Sequence, residues 1–418
     1  MINRRTFTTL LAGMAGVAAA PRLPWGQTAM SKTVLYASVG PELTLFDIDI
    51  ADTALTKRGA VTLPANIQYA WPHPSSRYFY VVSSNGGPGV IPGDTHLASA
   101  FRVDPGSGTL TPYGKPQALP SRPIHCCVDA TGGYLLTAFN FPSAVTVHRI
   151  NPDGTLGDLV SQPAKPDSGI FAHQIRTTPS NQSAILVTRG NNAGDDKPED
   201  PGALKVFGFK NGVLTNQASI APGTGFGFGP RHLDFHPRQP WVFVSVERQN
   251  QLYVYQLQPD HFLAPDPLFI KTTLADPGNV RPAQAAGAIH IHPNGRFVYV
   301  TNRNSGVVDF EGTKVSNGGE NNVAVFAIDQ ATGEPTLIQH GEARTIHLRT
   351  LSLDPSGRLL VAASILPLAV RDGNTVTTLA AGLSVYRIGS DGRLDFVRKY
   401  NVDTGKFMQF WSGMVTLA

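Results

Sequence analysis

Apolar residues recur along this chain in short runs, each closed by a Pro, Gly, Asp or Asn turn. Around Arg231 the chain reads GPRHLDFHPRQPWVFVSVERQNQLYVYQLQPD. Around Arg296 it reads AIHIHPNGRFVYVTNRNSG, and around Arg358 RTLSLDPSGRLLVAAS. Each copy holds four such runs, and runs of this length rich in Val, Phe and Tyr read as strands. Several strands per repeat, repeated along the whole chain, predict a radial array of antiparallel blades.

Seven copies are found, marked by second-strand runs beginning at Leu35, Tyr78, Tyr134, Ala184, Trp241, Phe297 and Leu359. After the seventh copy comes the unpaired apolar run FMQFWSGMVTLA from Phe407. It is expected to supply the missing strand of the first copy, closing the ring and hiding its edges. The reading is an all-β, seven-bladed propeller over residues 31–418. Extended stretches at 86–97, 190–202, 306–321 and 366–381 fall between second and third strands, and loops of that length are expected to be functional or mobile.

Residues 1–30 read differently. Asn3-Arg4-Arg5-Thr6-Phe7 precedes an apolar run from Leu10 to Ala20. The paired arginines resemble a twin-arginine export signal, with cleavage near Ala20 or Ala29. The run is too short for a spanning helix of about 20 residues. The expectation is an exported, periplasmic or secreted protein whose partner in transit is the twin-arginine export machinery.

Composition narrows the partners. The chain has 418 residues and a net charge of +4, with its Lys and Arg scattered, so no basic stripe marks a nucleic-acid surface. Its only cysteines, Cys126 and Cys127, are adjacent and badly placed for an ordinary disulfide. No local cluster has metal-ligand spacing, and no haem attachment motif occurs, so neither metal nor cofactor is expected.

In an antiparallel blade, the start of the first strand and the end of the second share one face of the disc. First-strand starts carry His125, His173, Arg231, His232, His290 and Arg349; second-strand ends carry Arg189, Glu247 and Arg303. The ring would gather these at one mouth of the central channel, the default place for a small-molecule site. Guanidiniums suit a carboxylate or a developing oxyanion. An imidazole or carboxylate can move a proton. Rival readings stand beside these: His125 and His290 could brace a neighbouring blade, Arg189 and Arg349 could be struts, and Arg231 with Glu247 could be a buried ion pair. His236 and His292, each before Pro, read as turn residues. The Asp104-Pro105, Asn151-Pro152 and Asp354-Pro355 stretches read as turns rather than acids of a site.

GPRH at 229–232, FHP at 235–237, a Glu closing the next strand and Asn302-Arg303 resemble the seven-bladed β-propeller lactonase family, over the chain from about Thr33 to the end. That family includes a bacterial 6-phosphogluconolactonase type and the fungal 3-carboxy-cis,cis-muconate lactonizing enzyme. The resemblance implies lactone chemistry, with His173, Arg231, Glu247 and Arg303 as catalytic residues. His125, His232, His290, Arg349 and Arg189 would then bind substrate. VTRGNNAGDD in the fourth copy and ASILPLAV in the seventh depart from the family pattern, so the substrate does not carry over. Export argues against a sugar phosphate. The expected activity is hydrolysis of a sugar or carboxylated lactone; a lactonizing cycloisomerase and a non-enzymatic binding module are the alternatives.

Overall fold

The computed structural model describes residues 32–88, 91–194 and 196–418. The export motif and both candidate cleavage points lie outside these residues. Seven four-stranded antiparallel sheets follow one another along the chain. Blade 5 is typical: its strands Pro230–Phe235, Trp241–Val246, Gln251–Gln256 and Phe269–Thr272 pair in order from the inside outward. Neighbouring inner strands contact each other around the whole ring, and that of blade 7 contacts Gln409–Thr416.

Gln409–Thr416 is the innermost strand of blade 1. It pairs antiparallel with Thr33–Val39, which pairs in turn with Glu42–Asp49. The two ends of the described chain are thus joined by a backbone ladder, as the orphan apolar run implied.

The middle strands explain the continuous apolar runs. Tyr78–Ser84, Trp241–Val246 and Leu359–Ser364 are buried along nearly their whole length, because both faces of each sheet pack on a neighbouring sheet. Alternation is lost where no face meets water. The core is accordingly divided into seven apolar clusters, one per seam between adjacent blades. Adjacent residues on a strand point to opposite faces. Cys126 therefore packs in the seam with blade 2 and Cys127 in the seam with blade 4, and both are free thiols.

Polar ties cross the same seams. The imidazole Nε2 of His236 meets the Gly295 carbonyl at 2.8 Å, and that of His292 meets the Gly357 carbonyl at 2.8 Å. Both glycines take positive φ in a turn of the next blade, and a Cβ at Gly357 would lie 2.3 Å from the His292 ring. These two histidines are structural, as their position before Pro suggested. Asp354 accepts from the backbone amides of Ser356 and Leu359 and so organises its own turn.

Two of the four long insertions are not loops. Residues 306–321 contain a hairpin, Val307–Phe310 with Thr313–Ser316. Residues 366–381 contain another, Leu368–Asp372 with Thr375–Leu379. The hairpins pack together, the Arg371 guanidinium lying 3.8 Å from the Phe310 ring centroid.

Removing residues 407–418 would strip blade 1 of its inner strand and expose the seams that hold Phe410, Trp411, Val415 and Leu417. At about 3 kcal/mol for each large buried side chain lost, the deletion costs on the order of 10 kcal/mol. The truncated protein is expected to melt at least ~10 °C lower in calorimetry; an unchanged transition would show that the ring does not need this strand.

Candidate active site

A local backbone irregularity builds the site. In every blade the pairing of inner and second strand slips near the start of the inner strand, leaving one extra residue on the inner strand. In blade 4 the register passes from Ala172↔Thr188 to Gln174↔Val187, leaving His173 unmatched. In blade 5 the unmatched residue is Arg231, between Pro230↔Val246 and His232↔Ser245. In blade 7 it is Arg349, between Leu348↔Ser364 and Thr350↔Ala363. A bulge of this kind bends the strand and re-aims a side chain. Three of the expected site residues therefore hold one structural position, repeated around the ring.

The second strands contribute from their ends. Arg189 and Glu247 directly follow Ser183–Thr188 and Trp241–Val246, and Arg303 is the penultimate residue of Phe297–Asn304. Glu247 is buried and gathers three guanidiniums. Its Oε2 accepts from Arg189 Nη1 at 3.1 Å. Its Oε1 accepts from Arg303 Nη2 and lies 3.5 Å from Arg231 Nε. Burial alone would push its carboxyl up. The charges of Arg303, Arg189 and Arg231 outweigh burial and hold it well below the usual carboxylate range.

Above this cluster opens a cavity of about 890 Å³. His173, Arg189, Glu247, Arg303 and Arg349 line it, together with two residues that sequence reasoning passed over, Arg122 and His347. Both sit just before an inner strand, in front of Pro123 and Leu348, so a search confined to strand starts misses them. His347 Nε2 lies 3.5 Å from Arg303 Nη1. Arg349 lies over the Phe410 ring at 3.5 Å and donates from Nε to the Phe410 carbonyl at 3.0 Å. Arg122 approaches the same ring at 5.5 Å. Among the described residues neither Arg122 nor Arg349 has a carboxylate partner, whereas Lys197 in the cavity wall is paired with Asp200.

The other expected residues lie elsewhere. Arg231 is 1% exposed and sits behind Glu247, outside the cavity lining. His125 and His232 immediately follow the unmatched residue of their strands and turn into the shaft of the ring. There His125 stacks on Tyr69 with centroids 4.0 Å apart, and His232 packs 6.0 Å from His125 and 5.1 Å from His173. His290 is a correction. Its strand begins earlier than the apolar pattern implied, at Gln284, so His290 is near the far end, paired with Tyr299. Its Nδ1 lies 3.4 Å from Asp234 Oδ2, apart from the cavity, beside the Arg176–Asp234 ion pair. Among the described residues no group of three His, Cys, Asp or Glu side chains is arranged to hold a metal.

Four of the buried histidines are held neutral. Burial first, and then the Arg231 charge, hold His173 and His232 well below the ordinary imidazole value. His125 is lowered by burial and by Arg176 and Arg231. His347 falls to about 3 through burial and the charges of Arg303 and Arg349. Burial also lowers the Arg349 guanidinium, followed by Arg231 and Arg303.

A propeller whose channel mouth carries four guanidiniums, a lysine, two carboxylates and two neutral imidazoles, with a fifth guanidinium behind Glu247, is a small-molecule site of cationic character. The chain belongs to the seven-bladed β-propeller lactonase family, whose profile (Lactonase, 7-bladed beta-propeller) matches residues 33–366. It is 27% identical over 339 residues to the 6-phosphogluconolactonase of Bacillus subtilis (strain 168), covering 79% of this chain and 86% of that protein. It is 28% identical over 310 residues to the 6-phosphogluconolactonase of Pectobacterium atrosepticum, covering 74% and 80%. Among solved structures, the periplasmic gluconolactonase of Pseudomonas aeruginosa superposes with a TM-score of 0.66 at 20% identity, over 93% of this chain and 100% of that one. A putative 6-phosphogluconolactonase from Bacteroides fragilis gives 0.66 at 19% identity, over 93% and 99%. At these identities the two structures share the fold.

Four depressed imidazoles make folding sensitive to acid. Unfolded histidines protonate near 6.5, whereas His125, His173, His232 and His347 resist protonation while folded. Below pH ~6.5 the unfolded chain therefore binds more protons, and stability falls by ~1.4 kcal/mol per pH unit for each such group. The urea midpoint should be flat from pH 7 to 8 and drop steeply between pH 6 and 4. A midpoint that held constant to pH 4 would show these imidazoles to be charged or exposed.

Proposed function

We propose that the protein hydrolyses a small lactone bearing an anionic group, at the cavity roofing the Glu247 cluster. The observation that carries this reading is the charge balance. Four guanidiniums line the cavity; Glu247 pairs with Arg189 and Arg303, while Arg122 and Arg349 have no carboxylate partner among the described residues. Arg122 is 5% exposed and its Nε is buried without a partner. A buried unpaired cation is costly, so this pair suits a substrate carboxylate presented to two planar forks.

In this reading the lactone carbonyl oxygen rests against the Arg303 and Arg189 guanidiniums, which Glu247 holds in place. Water attacks the carbonyl carbon while the neutral His173 imidazole takes its proton, and the carbonyl electron pair moves onto the oxygen facing the guanidiniums. Collapse of the tetrahedral species breaks the ring C–O bond. The His173 imidazolium returns its proton to the departing ring oxygen, giving the open hydroxy acid. Glu247 is the weaker candidate for base: both its oxygens are engaged and its proton affinity is depressed. Positive charge from Arg231, Arg349 and Arg189 is part of what lowers His173. A bound carboxylate offsets that field, so substrate raises the basicity of the group that needs it. Arg231 acts through Glu247 as a positioning residue.

The substrate is taken to be non-phosphorylated. The Arg4-Arg5 motif and the periplasmic location of the structurally similar P. aeruginosa gluconolactonase support an exported enzyme, away from the sugar phosphates of the cytoplasm.

Purified protein should open carboxylated γ- or δ-lactones, followed as acid release in a pH-stat. His173→Gln should lower kcat by ~100-fold or more with little change in KM. Wild-type kcat/KM should have no acid limb between pH 6 and 8, because His173 loses its basic form only well below its ordinary value. No hydrolysis across such a panel, or full activity in His173→Gln, overturns the proposal.

A further inference from the structure

The cationic cluster accounts for only part of the cavity wall. Other parts of the wall are apolar: Phe141, Ile170 and Phe171 come from blades 3 and 4, Ile365 directly follows the second strand of blade 7, and Met408 and Phe410 lie at the start of the closing strand. Two of these face solvent, Phe141 being 59% and Ile170 37% exposed. Large exposed apolar side chains at the rim of a concave site mark a surface that is covered when the site is filled. The volume, about 890 Å³, lies at the drug-sized end of the ~300–1,000 Å³ range for small-molecule pockets. A polyhydroxylated sugar lactone would leave these walls wet and would bring hydroxyls to side chains that cannot hydrogen-bond them.

The arrangement has a direction. Glu247 and His173 are buried, and Arg303 is 8% exposed, whereas Phe141 and Ile170 stand at the opening. The guanidiniums are themselves backed by apolar faces, Arg349 on Phe410 and Arg189 at 4.0 Å from the Phe171 centroid. A ligand that satisfies both halves carries its anion and its lactone carbonyl inward and a hydrocarbon substituent outward.

We infer that the substrate is an amphipathic lactone: a carboxylated lactone ring bearing an aryl or branched alkyl group, which lies against Phe141, Ile170 and Phe171. This deepens the hydrolase reading and rests on it for the position of the ring. Covering a phenyl-sized group against such a wall favours the substituted compound by about 10- to 100-fold.

The test compares 5-oxotetrahydrofuran-3-carboxylic acid with its 2-phenyl derivative. For wild type, kcat/KM for the phenyl compound should exceed that of the parent by at least ~10-fold. In Phe141→Ala/Ile170→Ala that ratio should fall several-fold while circular dichroism stays unchanged. A ratio near one, or in favour of the parent, overturns the amphipathic substrate and leaves the hydrolase reading standing. If neither compound is opened, the hydrolytic reading fails. Calorimetric affinities of the two ring-opened acids then decide the apolar cradle alone: tighter binding of the phenyl acid by ~10-fold supports it, and equal binding overturns it.

Discussion

One carboxylate makes the centre of this molecule possible. Arg189 from blade 4, Arg231 from blade 5 and Arg303 from blade 6 converge on the Glu247 carboxylate, Arg231 and Arg303 buried and Arg189 partly exposed, and Glu247 is the anion that lets them do so. Removing one partner of a buried ionic cluster typically costs about 3–5 kcal/mol, because the remaining charges stay buried without compensation. Here the remainder would be three like charges. The same carboxylate fixes the guanidinium planes of Arg189 and Arg303, the two members of the trio that reach the cavity. Structural bracing and presentation of the site are thus one interaction, and the rival readings of Arg231 and Glu247, ion pair or functional pair, describe the same atoms.

The bulged inner strand gives that interaction its setting. Each blade offers the same unmatched position at the same height, and the chain fills it differently from blade to blade. Blade 4 places His173 there, blade 5 Arg231 and blade 7 Arg349, while Ile124 takes the position in blade 3. The residue that follows turns into the shaft, which is why Tyr69, His125 and His232 form a packed column below the cavity rather than part of its wall. A ring of equivalent backbone sites with unequal side chains gives one scaffold many possible chemistries without altering its core.

Much of the ring was legible in the apolar runs, because sheets buried on both faces need uninterrupted hydrophobic strands, and turns between them need Pro, Gly and Asp. The unpaired final run foretold the closing strand. For the site, the choice of face placed His173, Arg189, Glu247, Arg303 and Arg349 together correctly. It failed where it depended on the register of a strand. His290 was assigned to the near end because its apolar run was read from Ala288, whereas Gln284–Ile291 extends four residues earlier through small and polar side chains that carry little strand signal. The bulge was equally invisible, since one unpaired residue leaves no mark on the pattern, and without it His125 and His232 cannot be told from His173. Arg122 and His347 were passed over because they lie one residue outside the strands.

Blade 1 is assembled from segments more than 350 residues apart, Thr33–Val39 and Gln409–Thr416. During synthesis the first of these leaves the ribosome long before its partner exists. Its free ladder groups are a template for any other extended chain until Gln409–Thr416 arrives. A nascent molecule is therefore most vulnerable to wrong pairing at Thr33–Val39, and a chain cut off before Gln409–Thr416 is made leaves a nearly complete disc with a sticky margin.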